Sequence, residues 1–493
     1  MRFRLALLGV LGFVTAVQAN ELQVGANQIT VDHLRHHVET LTDPKLDGRA
    51  NGSEGAETAA RYIEDQFKAV GLKPAGTERY RQGFRVYSGV RVEGVIGLRD
   101  LSRGYEFNKD YTPLGLSDDG KQLASLVFAG YGVSAPELGY DDYEGIDVAG
   151  KIVLAFLGEP GMQDPDSPFD GLAQTIHSDL YQKAEMAREH GAVGLLLTPG
   201  PLYTRDPERV WKISTDVGYR NAGLLIAQLT VSAAQAMVDP AGLDLALAQK
   251  EIDESRQPHS AAVDQQVELV VKLRRLETRM TNVVGKVPGR TKDSVVLLAN
   301  YDGFGVGEDN GHPMVHSSAN ANATGIAALI EIARAFSKMP QPEKTIYFVA
   351  LSGHQLSSVG AESLVREAVI PTADVSCAIN LFALGVPTEK RLEVFGTDSG
   401  EGLGDLIRGV NDQMKDPVVL RIDRDISRSG DHIPFYRAGV PTLTFFGGAY
   451  GTYGTPGDTP DIIQYPGFTR NVRYIYGVVQ TLAGMEEPVA FHR

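Results

Sequence analysis

The sequence cannot form a disulfide within the chain, because Cys377 is its single cysteine. A disulfide-stapled scaffold is therefore excluded, and stability must come from apolar cores, for which 43% apolar residues over 493 positions is ample. Basic residues are in deficit, 47 against 62 acidic, for a net charge of −15. That balance repels phosphates and argues against nucleic acid as a partner. Beyond the N-terminus no apolar run approaches the roughly 18–20 residues a membrane helix needs, so no membrane span is expected. Internal repeats and low-complexity tracts are also missing. Tryptophan occurs once, at Trp211, where packing on its own domain is the expectation.

The first residues read as a secretory signal. Arg2 and Arg4 precede an apolar stretch from Leu5 to Val17, and Val17-Gln18-Ala19 offers small residues suited to cleavage before Asn20. Removing residues 1–19 leaves 45 basic against 62 acidic residues, a net charge of −17. The expected product is exported, periplasmic or extracellular, and soluble, with no cysteine behind the signal to carry a lipid anchor.

The most informative stretch runs from Ser294 to Leu364. An apolar run, Val295 to Leu298, ends in Asn300-Tyr301-Asp302. A Gly-rich loop then leads to the helical stripe Ile326, Leu329, Ile330, Ala333, Phe336, and a second apolar run, Thr345 to Leu351, ends at Ser352-Gly353-His354-Gln355. Strand, helix, strand with polar residues at the strand ends predicts a βαβ unit, the arrangement in which open α/β sheets bind ligands.

The segments ANYDG (299–303), SANANATG (318–325), SGHQ (352–355), INLFALG (379–385), SGDHIPFYRAGVP (429–441) and YGTPGDT (453–459) resemble, in order and spacing, the core of metallopeptidase family 28, the di-zinc aminopeptidases. The resemblance implies a three-layer α/β/α zinc-exopeptidase-like sandwich. From about Ser117 to Gln266, VFAGYGVSAPE, the strand at Lys151 and GAVGLLL resemble the mainly β protease-associated domain that many members carry as an insert. The implied division is a signal peptide (1–19), the two parts of a peptidase-like domain (20–116 and 267–493) and the insert (117–266), with 253–264 as a linker.

Transferred position by position, the family's metal ligands fall on Asn300, Ala321, Gln355, Phe382 and Gly454, and its general-base position is taken by His354. Two zinc ions need imidazole nitrogens and carboxylate oxygens, and Ala, Phe and Gly have no side-chain donor. The expectation is therefore a catalytically inactive homologue without a cofactor. It would bind a peptide or small molecule in the vestigial cleft, or a protein partner. The alternative is a zinc-dependent aminopeptidase. Asp302, His354, Asp431, His432 and Tyr436 are the candidate pocket residues. A metal-free hydrolase, with His354 as base, Ser317, Ser318 or Ser352 as nucleophile and Asp302 or Asp431 as orienter, is a further reading, although no nucleophile elbow is present.

Other donors sit outside these positions. Glu308, Asp309, His312 and His316 lie near the loop, but Pro313 and the glycines exclude a helix that would make His312 and His316 a ligand pair. His33, His36 and His37 are expected on a solvated helix face, and Tyr140-Asp141-Asp142-Tyr143-Glu144 on a surface turn. A helix is expected over 55–70, stopped by Gly71, and Cys377 is expected to be a small core residue.

Overall fold

The computed structural model describes residues 22–169, 171, 175–211, 221–309, 312–386, 391–427 and 429–492. The expected signal segment, 1–19, lies outside them. The chain divides into two compact units, one made of residues 1–85 and 279–493, the other of 86–278.

The first unit is built on a mixed sheet. Its main path of strands is β1 (Lys73–Pro74), β2 (Leu273–Val287), β3 (Ser294–Asn300), β4 (Thr345–Leu351), β5 (Val375–Phe382), β6 (Arg391–Phe395), β7 (Val419–Ile422) and β8 (Thr442–Phe446), in the spatial order β1-β2-β4-β3-β5-β8-β6-β7, and a ninth strand, Arg81–Val92, pairs with β2. The central strands β4, β3, β5 and β8 run parallel, while β2 and β6 are antiparallel to their inner neighbours. Every residue of β3 is buried, as expected of a parallel strand covered on both faces.

Alternate residues feed two separate cores. Val295, Leu297, Ala299, Ile346, Phe348 and Ala350 pack against helices α1 (Val31–Leu41), α2 (Glu54–Ala69), α3 (Thr324–Phe336), and α6 (Tyr465–Gly484). Val296, Leu298, Val349 and Leu351 face Ala361 and Leu364 of α4 (Val359–Arg366) and Phe435 of a short helix, Ile433–Arg437. The period of two along each strand thus builds three layers. Helix α5 (Leu403–Gln413) adds Leu403, Ile407 and Val410 to the first core.

Local chemistry sets the helix ends. Ser53 accepts a hydrogen bond from the Ala56 amide and starts α2, as an N-cap serine does, and Gly71, at φ 86°, follows its end. Helix α3 is buried on all sides, including Glu331. That carboxylate accepts from His37 Nε2 (3.1 Å), His33 Nδ1 (3.0 Å) and Arg334 Nε (2.8 Å). The expected solvated face holds for His33 and His36, which are exposed, and is corrected for His37, which is buried; His37 and His33 together tie α1 to α3 through Glu331.

The second unit has an eight-stranded sheet whose middle strands, Gly120–Ala129, Ile152–Phe156, Gly194–Thr198 and Leu225–Leu229, are parallel. Apolar clusters cover both its faces. Asp142 lies buried here, accepting from the amides of Tyr131 and Val133 and from the Tyr140 hydroxyl. The 140–144 segment is therefore an internal anchor rather than a surface turn, because three donors converge on one carboxylate. Trp211 is 37% exposed. Among the described residues no helix is long and apolar enough to cross a membrane.

Candidate active site

Parallel strands end together, and the loops that follow β3, β4, β5 and β8 bring distant residues to one edge of the sheet. Asp302 follows β3, His354 follows β4, Phe382 closes β5, and Asp431 and His432 precede Ile433–Arg437. His354 Nδ1 donates to Asp431 Oδ2 at 2.9 Å. Asp302 is fully buried and accepts from the Gln355 amide through Oδ2 at 3.2 Å. Among the described residues, the second oxygens of Asp302 and Asp431 have no hydrogen-bond partner. Two buried carboxylates with open lone pairs therefore flank one imidazole.

Their electrostatics follow from that placement. Burial opposes a charged His354, but the Asp431 carboxylate, its hydrogen bond and Asp302 outweigh burial and raise the imidazole pKa to about 9. His354 is an imidazolium at neutral pH, a donor and acid rather than a base. Burial pushes the Asp302 carboxyl above its ordinary range, with the neighbouring Asp431 adding to the rise and His354 opposing it.

His432 is buried and turned to a different task. Its Nε2 donates to the Ser427 carbonyl at 3.0 Å and its Nδ1 accepts from the Thr444 hydroxyl at 3.2 Å. This pairing suits the neutral tautomer, and burial lowers its pKa accordingly. Tyr436 packs its ring 5.4 Å from that of Phe491.

The remaining positions are committed to scaffold bonds or to apolar contacts. Asn300 donates to the Asp302 carbonyl and accepts from Asn322 Nδ2 at 3.0 Å, and Asn322 also donates to the Leu381 carbonyl. Ala321 is buried and uses only its amide, toward Asp458. The Gly454 carbonyl accepts from His316 Nδ1 at 3.0 Å, and Gln355 uses its amide toward Asp302. Phe382 lays its ring 5.2 Å from His354 and continues into an aromatic cluster through Tyr453 (6.2 Å) and Phe446 (6.0 Å), with Phe304 packed on Tyr453 (5.5 Å). Sequence reasoning missed Phe304 and Phe446, which no motif marks, and did not single out Tyr453 although it opens the segment YGTPGDT. The serines offered as nucleophiles have other settings: Ser318 Oγ donates to the His316 carbonyl, and Ser352 is buried, with its amide on Asn282.

Residues 282–479 match the model of Peptidase family M28. A probable zinc metalloprotease of Phaeosphaeria nodorum is 29% identical over 157 residues, 25% of this chain and 31% of the relative. Aminopeptidase YwaD of Bacillus subtilis is 26% identical over 217 residues, 41% of this chain and 45% of the relative. The chain thus spans less than half the length of these curated relatives. Among solved structures, an aminopeptidase from Aneurinibacillus sp. strain AM-1 superposes with a TM-score of 0.58 at 18% identity, covering 96% of this chain and 98% of the other, a likeness of fold.

These matches correct two expectations. The relatives are a zinc metalloprotease and an aminopeptidase, and nothing in them supports a catalytically inactive binding protein. The aminopeptidase reading replaces it, and zinc replaces the expectation of no cofactor as what the family implies. The residues at the transferred positions nevertheless do not make the two-zinc donor set. Ala321, Phe382 and Gly454 offer no side-chain donor, His354 is paired to Asp431, and no group of three or more His, Cys, Asp or Glu side chains among the described residues is placed to hold a metal ion.

Proposed function

The chain belongs to peptidase family M28, and from that membership we propose that it is an exported aminopeptidase that removes N-terminal residues from peptides. The observation that supports this most directly is that the family match, 282–479, contains all four strand ends that build the site. Residues 1–19 supply export in this reading, and the inserted unit serves as a protease-associated domain.

The chain's own residues have definite parts. Asp431 occupies His354 Nδ1, which leaves the Nε2–H as the donor His354 offers to a peptide carbonyl oxygen. Donors aimed at developing negative charge inside a dry site are among the largest contributors to catalysis. Asp302 keeps one open oxygen, whose lone pair it offers to a substrate or water proton. The aromatic cluster of Phe382, Phe446, Tyr453 and Phe304 lines one side of His354.

The test is hydrolysis of aminoacyl 4-nitroanilides by protein purified without a metal-affinity tag, before and after equilibration with zinc and with chelator, alongside its zinc content. Turnover of free-amine substrates, absent for N-acetylated ones and lost in Asp302→Asn and His354→Ala, supports the reading. A folded, zinc-equilibrated protein with no turnover of any such substrate overturns it.

A further inference from the structure

The site is held by a turn that lies more than 200 residues upstream of it and outside the matched region. Residues Asp47, Gly48 and Arg49 have φ values of 45°, 61° and 55°. Three successive left-handed residues, two of them with a Cβ, persist only where the surroundings over-determine them. Gly48 is required by space as well: a Cβ there would stand 2.4 Å from the Gly305 carbonyl and 2.5 Å from that of His316.

The turn drives Arg49 into the interior, where its guanidinium is buried within reach of the charges of Asp302 and Asp458. Its Nε donates to the Tyr301 carbonyl at 2.8 Å, Nη1 to Ser317 at 3.1 Å and to Leu41, and Nη2 to Ser318 at 3.0 Å. In return the Arg49 carbonyl accepts from the Gly303 amide at 3.0 Å. Arg49 thus grips the backbone on both sides of Asp302. Two residues on, Asn51 Oδ1 accepts from the Gly353 amide at 3.0 Å, immediately before His354.

We propose that Arg49 and Asn51 are positioning residues, which set Asp302 and His354 against each other from one rigid turn. This deepens the aminopeptidase reading, since the two groups it aligns are those assigned to proton handling and carbonyl binding. A guanidinium fits the task because its planar fork reaches several carbonyls at once, which an ammonium cannot do.

The decisive variants are Asn51→Ala, Asn51→Asp and Arg49→Lys. Asn51 is half-buried, so its truncation leaves a folded protein even if Arg49→Lys does not fold. Two readouts are taken: the imidazole nitrogen signals of His354 at pH 7.5 in 15N-histidine-labelled protein, assigned with His354→Gln, and kcat and KM separately on an aminoacyl nitroanilide. Asn51→Ala is expected to displace the His354 imidazole signals from their positions in the parent, because the Gly353 amide loses the acceptor that fixes it. It should also lower kcat by about tenfold or more at nearly unchanged KM. Asn51→Asp, which keeps the acceptor, should restore both. A folded Asn51→Ala protein with unaltered His354 signals and kcat overturns the proposal, as does failure of Asn51→Asp to rescue. If the parent shows no turnover, the aminopeptidase reading fails, and the imidazole signals alone decide the positioning role.

Discussion

Replacing Asp431 by Asn should convert a stability that depends on pH into one that does not. In the folded protein the His354 imidazole titrates near 9, against 6.5 when unperturbed. Its side chain is only 14% exposed and that of Asp431 1%, so solvent screens the pair little. The folded pKa is the higher one, so the proton is bound more tightly in the native state. The contribution is fully present below pH 6.5 and disappears as pH rises through 9. The shift is worth about 3 kcal/mol at acid pH, about 2–3 kcal/mol at pH 7 and less than about 1 kcal/mol at pH 9. Differential scanning calorimetry of the parent from pH 6.5 to 9.5 should show the unit comprising 1–85 and 279–493 losing about 3 kcal/mol across that range. In Asp431→Asn the same transition starts lower and stays level, because a buried histidine without its carboxylate is neutral throughout. A parent transition as flat as that of the variant would refute the ion pair as the source of the raised pKa.

Two further perturbations test the scaffold. Glu331→Ala removes a fully buried carboxylate from His37 and Arg334 and should destabilise the first unit by about 3–5 kcal/mol in chemical denaturation. Burial depresses the His37 pKa, so stability there is present at neutral pH and falls as pH drops below 6.5, when the unfolded chain takes up the proton. In the second unit, Lys183 is buried and donates to the Tyr131 carbonyl beside Asp142. Lys183→Met should lower that unit's transition by a similar amount, while Lys183→Met with Asp142→Asn should recover part of the loss, as a double-mutant cycle would read.

Much of the fold was legible because it depends on local pattern. The runs ending at Asn300 and Leu351 are strands Ser294–Asn300 and Thr345–Leu351, and the stripe from Ile326 to Phe336 lies within Thr324–Phe336. Strand ends also located Asp302 and His354, since parallel strands deliver their loops to one edge, while Asp431 came from the resemblance carried by SGDHIPFYRAGVP. What stayed hidden depends on pairings that no period encodes. Arg49 meets Tyr301 across 252 positions, and His37 meets Glu331 across 294. A glutamate inside an otherwise apolar stripe was the available signal for the second pairing, and a basic residue beside a glycine for the first. The reading of function erred differently: side chains missing from a ligand set describe what a site cannot hold, and that is not a description of what the chain does.

Cys377 lies wholly buried in the central strand Val375–Phe382, and burial pushes its thiol far above the ordinary range. The chain's only tryptophan, Trp211, belongs to the other unit. Each unit therefore carries one native reporter that the other lacks. Thiol labelling proceeds only when the strand Val375–Phe382 opens, while indole fluorescence follows residues 86–278. The order in which the two units come apart can be timed in the unaltered protein, with no engineered probe.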